Sequence, residues 1–211
     1  MGNMTKLLIL GASGQIATHV IEMLADSDVE LTLFARNPGR IASVPSGATV
    51  VEGDVKDQDT LATAMRGQDI VYANLAGDID TQARDIVLAM NAEQVRRLIF
   101  VTSLGILNEV PGTFGAWNQE TIGQALTVYA AAATVIEDSD LDYTILRPAW
   151  LSDTDEVDYE TTARDEPFKG TTVSRKSVAA LISRIVLHPE EFSRSNIGVN
   201  KPGTEGERPV W

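Results

Sequence analysis

The chain has 211 residues, 44% of them hydrophobic, with a formal charge of −13, two histidines and no cysteine. That length fits one domain, 1–211, with a core of its own. Lack of cysteine excludes disulfides and thiolate chemistry, two histidines are too few for a His-based metal cluster, and the acidic balance argues against nucleic acid, whose phosphates need clustered Lys and Arg.

No apolar run approaches the roughly 20 residues of a membrane span, and the start shows no signal-peptide pattern. The composition suits the reducing cytoplasm. Thr5–Leu10 (TKLLIL) reads as a strand buried on both faces. Gly11–Gly14 is a turn, and Ile16, Val20, Met23 and Leu24 then recur at helical spacing. Further strands are predicted at Val29–Phe34, Thr49–Glu52, Ile70–Ala73, Leu98–Thr102 and Tyr143–Leu146. Helices are predicted at Thr60–Met65, Gln82–Asn91, Glu120–Asp138 and Arg175–Leu187. Strands alternating with helices give βαβ units and hence an α/β, Rossmann-type, doubly wound parallel sheet. Ala149–Thr172 loses the pattern and is acid-rich; it reads as a loop, solvated or lying over a substrate site. Asn200–Trp211 reads as an irregular surface segment on the substrate side. Nothing in the pattern settles oligomeric state, and an exposed helix pair is compatible with a homodimer.

Gly11-Ala12-Ser13-Gly14-Gln15-Ile16-Ala17 has the form GxxGxxA between a strand and a helix. In that position Gly11 permits the tight turn, Gly14 lets the backbone approach a pyrophosphate, and Ala17 lets the helix pack close to the sheet. The helix N-terminus offers unpaired N–H groups and a positive dipole end. Gly11, Ser13, Gly14, Gln15 and Ile16 are therefore cofactor-binding candidates. A binder of NAD usually carries Asp or Glu at the end of the second strand. Here Leu31–Arg36 (LTLFAR) ends in Arg36, which can take a 2′-phosphate bidentately, so NADP(H) is expected rather than NAD(H). Arg40 and Lys56 are candidates to add charge. Asp54 can accept from the adenine amino group, with Val55 against the ring. Leu75, Ala76 and Gly77, in the small turn after the fourth strand, can lie along the cofactor.

GASGQIA, LFAR, GDV, VTS (Val101–Ser103) and LDYTILRP (Leu141–Pro148), in this order, resemble the atypical short-chain dehydrogenase/reductase proteins, most closely their NmrA-like NAD(P)H-binding group. The resemblance covers nearly the whole chain. It implies nicotinamide contacts from Thr102, Ser103 and the Arg147-Pro148-Ala149 turn. It also implies a catalytic Ser or Thr, a Tyr, and a Lys four residues after that Tyr. Ser103 and Tyr129 match the first two, but the lysine position is Ala133, within an alanine run from Ala130. Without that lysine a tyrosine, with a pKa of about 10, is a poor acid–base group near neutrality. Alcohol–ketone chemistry is then less expected than hydride transfer from NADP(H) to a flavin, quinone or other small planar acceptor. A cofactor-binding sensor or regulator without turnover is the alternative, and an epimerase a distant third. Phe114, Trp117 and Trp150 are candidates to stack on a planar acceptor.

Overall fold

The computed structural model describes residues 4–211. Its strands are β1 (Thr5–Leu10), β2 (Val29–Ala35), β3 (Thr49–Glu52), β4 (Ile70–Ala73), β5 (Arg97–Val101), β6 (Asp142–Pro148), β7 (Trp150–Ser152), β8 (Glu160–Thr162), β9 (Thr172–Ser174) and β10 (Ser195–Asn200). The helices are α1 (Gln15–Leu24), α2 (Gln58–Met65), α3 (Ile79–Ala92), α4 (Gly112–Glu137) and α5 (Arg175–Leu187). Eight strands form one sheet in the order β3-β2-β1-β4-β5-β6-β10-β8, all parallel except β8. The chain leaves the central strand in one direction, returns, and leaves in the other, which is the doubly wound arrangement the alternation predicts. Among the described residues no helix is long and apolar enough to cross a membrane.

Strand periodicity splits the core in two. Leu7 and Ile9 point into a cluster with the buried faces of α1 and α5, while Leu8 and Leu10 point into a second cluster with α2, α3 and the rear of α4. Ile70 and Tyr72 against Val71 and Ala73 repeat the division on β4. Burial on both faces explains why β1 reads as an unbroken apolar run. Each fully buried Leu or Ile contributes about 1.5–3 kcal/mol.

Two segments differ from expectation. Helix α4 starts eight residues before Glu120 and bends at Ile122, where φ is −130° and ψ 16°. Its glycines make the front half look like a loop. Gly115, however, is there for space: a Cβ would lie 2.0 Å from the Val110 carbonyl oxygen. The bend lets Phe114 join the α1/α5 cluster while Leu126, Ala132, Ala133 and Ile136 join the other.

The stretch 149–172 is paired into the fold through short strands, while its acidic residues stay largely exposed. β7 pairs in parallel with β9, and β8 adds to β10 antiparallel. Its acids meet bases: Asp153 with Arg175 (2.8 Å), Asp155 with Lys176, and Glu156 with Lys201 (2.7 Å). The tail after Asn200 is irregular, as expected.

Candidate cofactor site

A cleft of about 400 Å³ runs across the carboxyl ends of the parallel strands. Its floor at the centre is the turn after β1. The Gly11 and Ala12 N–H groups both donate to the Phe34 carbonyl at 3.1 Å, which folds the turn over the end of β2. Gly11 has φ +87°, and a Cβ there would lie 2.4 Å from the Asn74 carbonyl oxygen, so only glycine fits. Gly14 then opens α1, and no side chain caps that helix. The N–H groups of its first turn are left for a ligand, and Gln15 and Ile16 line the cleft beside them. A glycine-flanked turn with only small side chains, an uncapped helix end and the positive end of a dipole fit a pyrophosphate.

Beyond β2, Arg36 and Arg40 line one end of the cleft. Both are exposed, and neither side chain has a hydrogen bond or ion pair among the described residues. The Asn37 side chain accepts from the Gly39 N–H at 3.1 Å and caps the short 3-10 turn Pro38–Arg40, which swings Arg40 back beside Arg36. Asp54 accepts from the Lys56 N–H at 3.0 Å, and Val55 is buried below it. Lys56 does not join the arginines: its ammonium is 2.6 Å from Asp78, whose hydrogen bond raises the lysine pKa. Donors without partners beside Asp54 and Val55 fit the adenosine half of a dinucleotide, including a 2′-phosphate.

The other end lies over β4, β5 and β6. Leu75, Ala76, Val101, Thr102, Tyr129, Pro148, Leu151 and Arg175 line it. The Thr102 hydroxyl donates to the Leu146 carbonyl at 3.0 Å, so its side chain is tied to β6. Burial raises the Tyr129 pKa, and no lysine lines the cleft to oppose that rise.

The structure therefore brings together Gly11, Ser13, Gly14, Gln15, Ile16, Arg36, Asp54, Val55, Leu75, Ala76, Thr102, Tyr129 and Pro148 around one cleft. It leaves Gly77 and Ser103 outside that lining. Ser103 lies two residues beyond β5, and its hydroxyl turns back to donate to the Leu104 carbonyl at 3.2 Å. Sequence reading missed Gln82, Leu151 and Arg175 as lining residues. Gln82 donates to the Ala76 carbonyl at 3.2 Å and so holds the turn after β4. Leu151 and Arg175 reach the cleft only because β7 pairs with β9, which no local pattern announces.

Two further expectations are corrected. Arg147 does not face a nicotinamide. Its side chain is fully buried on the far side of β6, pairing with Glu109, donating to the Asn196 side chain at 2.8 Å and to the Ala163 carbonyl at 3.2 Å. Glu109 in turn accepts the Gly105 and Leu107 N–H groups at 2.9 Å each, which clamps the loop after Ser103 to the sheet. Phe114, Trp117 and Trp150 do not line the cleft either. Trp150 packs on Trp117 at 4.9 Å between centroids and donates to Asn118 at 2.9 Å, with Phe114 stacked at 5.9 Å and the Arg208 guanidinium 5.1 Å over Trp117. They pack on one another because strand alternation sends Leu151, not Trp150, to the cleft.

Comparison with known proteins agrees with this geometry. A solved Rossmann-fold NAD(P)-binding family protein from Shigella flexneri is 52% identical, covers 99% of each chain and superposes with a TM-score of 0.86. A short-chain dehydrogenase/reductase from Veillonella parvula, solved in complex with NADP, is 30% identical over 98% of this chain and 99% of its own, with a TM-score of 0.89. Quinone oxidoreductase 2 of Escherichia coli is 24% identical over 153 residues, 70% of this chain and 49% of that protein. The chain spans no more than about half the length of the curated reductases it matches. A family model described as NAD(P)H-binding matches residues 11–189, and with the glycine turn and cleft it makes this chain a member of the NAD(P)H-binding family of Rossmann-fold proteins.

Proposed function

We propose that this chain is an NADPH-dependent reductase acting on a small planar acceptor such as a quinone or flavin. The observation that carries the reading is the make-up of the cleft's far end: a mostly apolar wall of Val101, Pro148 and Leu151, with one phenol and no lysine to acidify it. When bound, the cofactor supplies a hydride. This chain's residues fix the cofactor's two halves, exclude water along the apolar wall and hold a flat acceptor against it. Proton demand separates the candidate substrates. A ketone reduced to an alkoxide needs a positioned acid. A quinone that gains a hydride becomes a hydroquinone anion, a phenolate whose conjugate acid resembles tyrosine at about 10, so water can deliver the proton. The balance is one hydride and one proton per quinone. A low-pKa acid is then unnecessary, which is compatible with Ala133 standing where the superfamily has lysine. The E. coli relative named for quinone reduction points the same way.

The test is NADPH oxidation with a panel of quinones, flavins and aldehydes, with NADH as parallel donor. Quinone or flavin turnover with preference for NADPH is the expected result, and aldehydes should be poor. Tyr129→Phe should then reduce kcat by less than about tenfold, against the 10²–10⁴ typical of a true general acid. Because burial raises the pKa of this phenol, it stays protonated from pH 6 to 9 and adds no step to the kcat profile there. A loss of a thousandfold, or a step near pH 7 abolished by the substitution, would make Tyr129 the proton donor.

One observation favours a second reading, cofactor binding without turnover. Ser103, the residue matched to the catalytic serine, has its hydroxyl committed to Leu104. Tight NADPH binding with no oxidation by any acceptor in the panel would select that reading.

A further inference from the structure

Three arginines line the cleft of a chain whose net charge is −13. Arg36 and Arg40 stand at the β2 end, where a 2′-phosphate accounts for them. Arg175 stands at the opposite end with Leu151, Pro148 and Tyr129, and nothing in the reading so far uses it. Its backbone is firmly held as the first residue of α5: the Ser174 hydroxyl accepts from the Ser177 N–H at 2.9 Å and donates to the Glu156 carbonyl at 2.8 Å. Its side chain is 20% exposed. Only Nη1 is engaged, donating to Asp153 at 2.8 Å and, weakly, to the Leu151 carbonyl at 3.4 Å. Nε and Nη2 have no partner among the described residues. The other two largely buried guanidinium groups, Arg97 and Arg147, spend donors from all three of their nitrogens on the protein.

We infer that Arg175 anchors an anionic substituent, a carboxylate or its equivalent, on the acceptor. The inference rests on the reductase reading and names its substrate class: a planar acceptor bearing an acid. Asp153 is a weak competitor. Its side chain is 77% exposed, so the pair is largely a surface ion pair, which contributes little. A ligand carboxylate arriving through the cleft can take the two spare donors side by side, the fork geometry that suits guanidinium. The apolar wall then receives the flat ring while Asp153 swings into solvent.

The probes are anthraquinone-2-carboxylate and anthraquinone-2-carboxamide, alike in shape and differing in charge. Their binding to the NADP⁺-loaded protein is read by equilibrium dialysis, beside NADPH oxidation with each. Wild type should bind the carboxylate at least about tenfold more tightly. Arg175→Gln should bring the ratio close to one, Arg175→Lys should keep part of it, and Asp153→Asn should raise it. Equal binding of the two probes by wild type, or a ratio that survives Arg175→Gln, overturns the proposal. So does a loss of NADP⁺ affinity in Arg175→Gln as large as the loss of carboxylate affinity, because Arg175 would then be a cofactor ligand. If the charge preference holds while no acceptor is ever reduced, the reductase reading fails and the anion site at Arg175 stands.

Discussion

Arg36→Ala is expected to weaken NADPH binding by about 10- to 100-fold while leaving NADH binding within about twofold. The range follows from the loss of one charge-assisted hydrogen bond to a phosphate, about 1.5–3 kcal/mol. Arg36 is exposed and unpaired, so its loss removes no packing and frees no buried partner; fold stability should hardly change. Arg40→Ala should give a smaller effect in the same direction, because its side chain hangs from a short turn rather than a strand end. Isothermal titration with both nucleotides in the wild type and variants decides the matter. If both nucleotides weaken alike, Arg36 serves the common part of the cofactor and its proposed role at a 2′-phosphate fails.

The largest effect on stability is expected at Glu109. Replacing it with alanine strands the Arg147 guanidinium, fully buried in β6, without its ion-pair partner, and leaves the Gly105 and Leu107 N–H groups unpaired. Breaking one side of a buried pair costs about 3–5 kcal/mol. For a chain of this size that lowers Tm by about 6–20 °C. Glu109→Gln should cost less, since its carbonyl can still accept one of the N–H groups. The double variant Glu109→Leu/Arg147→Met should be less damaging than either charge removed alone, because the unpaired charge goes with its partner. Thermal melts of the set measure this. Additive losses in the double variant would show that the two groups do not depend on each other.

Much of the candidate site was legible because it is local. The turn Gly11–Gly14, Arg36 just after β2 and Asp54 two residues after β3 each lie or begin within two residues of a strand end, and the sheet carries them to one edge. What was not legible depends on partners distant in sequence. β10 (SNIGVN) reads as polar and glycine-broken. Yet Asn196 is satisfied by Arg147 and Glu137 inside the protein, and Gly198 leaves room for the Phe168 ring, where a Cβ would lie 2.6 Å from it. Asp153, Asp155 and Glu156 read as an exposed acidic run, and their basic partners on α5 and just after β10 are distant in sequence. The same distance effect hid Arg175, and it misdirected Trp117 and Trp150, whose aromatic faces are used up on each other.

The ordering of the sheet also bears on how copies of this chain meet. An open sheet has two edges, and a long apolar edge is a template for aggregation. Here one edge is β3, four residues (TVVE) ending in Glu52, and the other is β8, three residues beginning at Glu160 with Lys169 3.9 Å away. Both edges are short and each carries a charged residue, features that disfavour the addition of a new strand. Short, charged edges of this kind are expected to limit edge-to-edge pairing of the eight-stranded sheet as concentration rises.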